Sequence, residues 1–221
     1  RIGRFMMPKV SNGLALNPAL GRSYGDQLEL ERGYQVFGAN GKVRLLAWRN
    51  RAVMGGFDDA IDQSAGAPPD VSTVRRDRAK HGYGVNVEQS IGRWGGAFMR
   101  YGASDGRTET YAYTEIDRSL SVGVLFAGTT WQRADDSLGI GYARNSLSAA
   151  HRAYLANGGL GFFIGDGRLN YASEHVVEMF YALGLWKRSW LSANIQRIVH
   201  PAYNADRGPV NVYGVRFHVN F

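Results

Sequence analysis

From Asn211 to Phe221, apolar residues fall on every second position: Tyr213, Val215, Phe217, Val219 and Phe221. Gly214, Arg216, His218 and Asn220 lie between them. A period of two sends the two sets to opposite faces of a strand. The same alternation returns along the whole chain and predicts strands over 1–7, 27–37, 42–51, 81–91, 96–102, 114–127, 137–145, 175–186, 190–200 and 211–221. Leu28, Leu30, Tyr34 and Val36 oppose Glu29, Glu31 and Gln35. Ile116, Leu120, Val122, Val124 and Phe126 oppose Glu115, Asp117, Ser119 and Ser121. Val177, Met179, Tyr181, Leu183 and Leu185 oppose Glu178. The third strand also turns the bulky Leu46 and Trp48 to the side of Arg44.

The segments between the strands alternate in length. Gly38-Ala-Asn-Gly41 predicts a tight hairpin, because Asn-Gly favours the left-handed backbone such a turn needs. Residues 9–26, 55–80, 146–174 and 201–210 have loop composition, and 148–156 predicts a short helix in one of them. A soluble β-sandwich gives no reason for long and short connections to alternate, and its inward faces would be apolar. An outer-membrane barrel gives both, with long loops on one side and short turns on the other. The expected fold is therefore all-β, an antiparallel transmembrane β-barrel of about ten strands. Residues 1–221 are expected to form a single domain.

Composition narrows the function classes. Hydrophobic residues make up 44%, yet the longest apolar run is Val122-Gly-Val-Leu-Phe-Ala127. That is far short of the ~20 residues a membrane helix needs. There are no cysteines, which removes disulfides, thiolate metal sites and cysteine nucleophiles. The net charge of +7 is spread among mixed signs with no nucleic-acid-binding motif, so no nucleic-acid partner is expected. The five histidines fit no metal spacing, no calcium-loop spacing occurs, and no nucleotide or other cofactor motif is present. The chain begins at Arg1 without a signal peptide, which is expected of a mature chain or a fragment.

The inward set contains Glu29, Glu31, Arg44, Asn86, Glu88, Arg100, Glu178 and Arg216. These supply donors and acceptors along a wet wall and are the candidate pore-lining, substrate-binding residues. The plainer alternative is that they pair across strands and only hold the wall in shape. Asp166, Arg168, Asp206 and Arg207 lie in long loops and are candidates for a constriction; mutual Asp–Arg pairs at the mouth are the alternative. Small outer-membrane proteases and phospholipases also use barrels. His200 near Asp206 is the one pair here that such chemistry could use. A purely structural barrel is the third reading.

Three segments carry a family resemblance: 41–50 running into Met54-Gly55, 153–171 with its Asn157-Gly-Gly-Leu-Gly161 and Gly165-Asp-Gly167, and 201–209. They resemble the carbohydrate-selective, OprB-like porins of Gram-negative outer membranes, over nearly the whole chain. The resemblance implies the C-terminal part of a sixteen-strand barrel in the bacterial outer membrane. It further implies passive diffusion of monosaccharides and similar small polar solutes, with carbohydrate and outer-membrane lipid as partners and no enzymatic step. Association as a homotrimer is left open. The terminal Phe221 matches the aromatic ending that assembly machinery reads in such proteins.

Overall fold

The computed structural model describes residues 1–112 and 114–220; Phe221, expected on the apolar face, lies outside the described residues. The chain forms one antiparallel sheet of ten strands, each paired with the next in sequence order. They are β1 (Ile2–Met6), β2 (Tyr24–Val36), β3 (Ala39–Met54), β4 (Arg76–Ser90), β5 (Gly95–Ser104), β6 (Arg118–Ala127), β7 (Ser137–Ser146), β8 (Glu174–Trp186), β9 (Ser189–Val199) and β10 (Val210–Val219). Among the described residues β1 and β10 do not pair with each other. The turns at 37–38, 91–94, 128–136 and 187–188 lie at one end of the sheet. The longer connections 7–23, 55–75, 105–117, 147–173 and 200–209 lie at the other.

The expected alternation survives pairing, because antiparallel register places residues directly opposite each other on the same face. One transverse row runs Glu31, Arg44, Asn86, Arg100, Ser121 and Ala143. The opposite face carries Val43, Val87, Met99, Val122, Tyr142 and Val177 in one row. That second face is apolar and uncovered: Leu30 is 61% exposed and Val215 78%. A sheet in water would bury such a face; a lipid-facing wall leaves it bare of protein.

The protein's own hydrophobic core sits elsewhere, under the long loops. Helix α1 (Phe57–Gln63) and helix α2 (Ala149–Ala156) pack there with Val71, Leu147, Ile164 and Tyr203. Helix α2 falls where the sequence predicts it, and its Ser148 side chain caps the helix by accepting from the His151 N–H. Helix α1 lies inside what composition alone reads as loop.

Three expectations are corrected. Strand β4 begins at Arg76 and β2 at Tyr24, inside the segments 55–80 and 9–26 that composition reads as loop. The first hairpin turns at Phe37-Gly38, not at Asn40-Gly41; both turn residues have positive φ, 50° and 77°. Asn40 instead pairs with Gln35 inside the ladder, where its Oδ1 accepts from Gln35 Nε2 at 2.9 Å. The displacement leaves every residue on its expected face. The sixth strand begins at Arg118 rather than at 114. Glu115 and Asp117 are buried acceptors for loop backbone, and that use pulls 114–117 out of the sheet. Ile116 leaves the apolar face with them.

Candidate functional site

The polar face of the sheet is the candidate site. Arg44, on β3, donates from Nε to Glu31 Oε2 and from Nη1 to Glu88 Oε1, both at 2.6 Å. The neighbouring strands place a carboxylate on each side of it. Glu29 accepts from Arg1 Nη1 at 2.9 Å. Glu178, on β8, accepts from Asn194 Nδ2 at 3.1 Å and from Gln196 Nε2 at 3.0 Å. Glu29, Glu31, Arg44, Glu88 and Glu178 therefore have cross-strand partners. Arg100 and Arg216 make no ion pair among the described residues, and Asn86 Oδ1 is buried without a hydrogen-bond partner there. Asn86 and Arg100 stand directly opposite each other on β4 and β5.

Aromatic rings complete this face. Trp48 opposes Gly82, Phe98 opposes Gly123, and Phe180 opposes Gly139. A Cβ added at these glycines would lie 2.2, 2.5 and 2.1 Å from the respective ring. Each ring therefore occupies the space that a side chain would take at its glycine. The Arg100 guanidinium carbon sits 5.1 Å from the centre of the Phe98 ring. Leu46, Trp48, Asn86, Arg100 and Ser121 share a groove of about 500 Å³ on this face. Strand parity gives Phe98 and Phe180 the inward face, but a pattern search for polar lining passes over them.

The 105–117 connection closes the groove from above, bringing Thr114 and Ile116 against it. Its anchors are the two buried carboxylates. Glu115 accepts the backbone N–H groups of Phe162, Phe163 and Ile164 at 3.0, 2.7 and 3.2 Å. Asp117 Oδ2 accepts from Ser148 N and from the His151 ring Nδ1, both at 2.9 Å, and Lys80 Nζ lies 3.8 Å from its other oxygen. His151 is in turn stacked on Phe57, with ring centres 4.3 Å apart. Burial raises the Asp117 carboxyl's pKa. The His151 hydrogen bond and charge, Lys80 and the Ser148 N–H outweigh it and hold the group at about 2. Burial above all, with nearby carboxylates, raises the Tyr203 phenol, which donates to Glu115 O at 2.7 Å.

Ser148, His151 and Asp117 are thus close together, but not as a hydrolytic triad. Ser148 Oγ donates to Gly106 O at 2.6 Å and accepts from the His151 backbone N–H. His200 Nδ1 meets Ser173 O at 3.2 Å, whereas Asp206 accepts from Asn170 Nδ2, so the two are not joined to each other. Asp166 accepts from Arg207 Nη2 at 2.7 Å, which ties two long loops together. Arg168 is exposed in the same loop.

An antiparallel wall with one bare apolar face, one polar face and all long loops at one end defines a β-barrel porin fold. The sequence profile of the carbohydrate-selective porin, OprB family matches residues 6–221, and the chain belongs to that family. A solved structure of Pseudomonas putida OprB, at high pH, superposes with a TM-score of 0.79 at 18% identity. The match covers 100% of this chain and 55% of that one, so the chain spans about half the length of that protein. At that identity the likeness speaks for the fold. Among curated protein sequences there is no match.

Proposed function

We propose that the chain is part of the wall of an outer-membrane porin that passes monosaccharides and similar polyhydroxylated solutes by passive diffusion. On this reading residues 1–221 are one barrel domain, the C-terminal portion of a sixteen-strand barrel. The observation that carries it is the groove that Trp48 lines together with Asn86 and Arg100. A pyranose offers an apolar ring face and a rim of hydroxyls; the tryptophan ring meets the first, and the guanidinium and amide meet the second. Binding there must be weak, because a solute held tightly does not leave. No step beyond downhill diffusion is needed, and no catalytic role is assigned.

The arginines divide by their partners. Arg100 and Arg216 have guanidinium donors to spare, so they are proposed to contact hydroxyls directly. Arg44 is already engaged by Glu31 and Glu88. Glu29, Glu31, Glu88 and Glu178 are proposed to shape the wall and orient those donors. Asp166, Arg168, Asp206 and Arg207 are proposed to narrow the mouth from the rim, as a locked loop pair.

Liposome swelling with the full-length protein tests this, comparing glucose with a neutral amino acid of similar size. The expected result is faster entry of glucose, with Arg100→Ala lowering that preference by about tenfold or less, the scale of one hydrogen bond to a charged group. Arg216→Ala should act in the same direction. Arg44→Ala should instead favour cations, since it frees two carboxylates. Equal entry of both solutes in the parent protein would remove the carbohydrate assignment.

A further inference from the structure

Charges on the lipid-facing side of the strands are segregated. Among the described residues, Arg32 aside, the charged side chains of that face lie near the long-loop ends. Below them, outward positions such as Leu120, Val122, Val124 and Phe126 on β6 are apolar. Of the outward arginines near the long-loop ends of β1 to β4, Arg49 stands opposite Asp26, and two are neutralised. Arg4 donates to both oxygens of Asp26, at 2.7 and 2.8 Å, and Arg51 to both oxygens of Asp77, at 3.1 and 2.7 Å.

On β6 to β9 the pattern differs. Arg118, Arg144 and Arg197 are exposed, and none has a carboxylate partner among the described residues. Arg144 Nη2 reaches only Ser173 Oγ, at 3.3 Å, and Arg197 Nη1 only Asn211 Oδ1, at 3.5 Å. Register makes Arg118 and Arg144 diagonal neighbours and places Arg197 one strand further on, diagonal to His175. Arg144 opposes Leu120, two positions from Arg118, and on its other side opposes His175. Arg197 opposes Val177, two positions from His175. Diagonal neighbours of this kind stand roughly 7–8 Å apart. Tyr142, whose hydroxyl meets His175 Nδ1 at 2.7 Å, lies just below, where the apolar belt begins. A tyrosine at that level is typical of a membrane–water interface.

We propose that this outward band on β6 to β9 binds the phosphate groups of the anionic glycolipid that forms the outer leaflet. The inference rests on the porin reading above, which puts the long loops outside. Its support is charge complementarity: Arg118 and Arg144, adjacent and without carboxylates, repel one another unless an anion joins them, and each of the three guanidiniums offers a planar fork suited to phosphate. Their spacing along the wall suits a headgroup carrying more than one phosphate. Their height, at the upper edge of the apolar belt, matches the headgroup level.

The test uses the full-length protein in nanodiscs of neutral phosphatidylcholine, with binding followed by native mass spectrometry. Purified lipid A, its dephosphorylated form and inorganic phosphate are the probes. Lipid A should bind, the dephosphorylated form at least about tenfold more weakly, and inorganic phosphate should not displace it at millimolar concentration. The variant R118Q/R144Q/R197Q should lose about tenfold or more in lipid A affinity, while R32Q keeps the parent value. Thermal melting in phosphatidylcholine checks that the variants are folded. Equal lipid A binding by the triple variant, or equal binding of both lipid forms, would overturn the proposal. A protein that inserts into no bilayer would overturn the porin reading and this inference with it.

Discussion

Val122→Arg should destabilise the membrane-inserted protein by roughly 2–4 kcal/mol, the cost of a guanidinium on the lipid face near the midplane. Val122 lies between Met99 and Tyr142 on the apolar face, and Leu183 faces the same way on β8. Leu183→Arg should cost a similar amount. Ser121→Arg, one residue from Val122 but on the wet face, should cost less than about 1 kcal/mol, because water solvates the new charge. Reversible urea unfolding from lipid vesicles reads all three. Equal losses on the two faces would mean that both are buried alike, as in a soluble sandwich.

Removing Asp117 should be comparably severe. Asp117→Ala strips the acceptor from Ser148 N and from the His151 ring inside the loop core, and should cost about 3–5 kcal/mol. Its carboxyl is held at about 2 in the folded protein, below its ordinary 3.8. The stabilisation from this depressed pKa is therefore fully present above about pH 4 and is lost as pH falls through the folded value. Integrated over that shift it amounts to roughly 2 kcal/mol. Melting temperatures between pH 2 and 6 should show that acid slope in the parent and a shallower one in Asp117→Asn. Identical slopes would assign the acid sensitivity to other carboxylates.

The alternation of faces was legible because each strand meets two different solvents, and a period of two records both. Strand count and the alternation of loop lengths followed from the same signal. The turn at Phe37-Gly38 was not legible: Asn40-Gly41 suits the same backbone, and Asn40 instead satisfies Gln35 across the ladder. Nor was the exit of 114–117 from the sheet. Glu115-Ile116-Asp117 alternates as a strand does, and only the 162–164 backbone and Ser148, far along the chain, reveal what the carboxylates hold. For the site, parity placed Arg44, Arg100 and Arg216 inward together. It could not tell that Arg44 is taken by two glutamates while Arg100 makes no ion pair among the described residues, because that depends on which residues register sets opposite and diagonal. Trp48 was legible as a bulky inward residue. Its groove with the 105–117 connection was not, being assembled from five strands and a loop.

One face of this sheet meets lipid and the other meets water. These 221 residues hold no cysteine, so a thiol introduced here reports its own position once any cysteine elsewhere in the full-length protein is replaced by serine. Leu120→Cys, Ser121→Cys and Val122→Cys, each in the full-length protein reconstituted into lipid vesicles, should be exposed to a charged, membrane-impermeant maleimide. The account predicts rapid labelling at 121 and little at 120 or 122. Equal labelling at all three, or labelling at 120 and 122 with protection at 121, would contradict it.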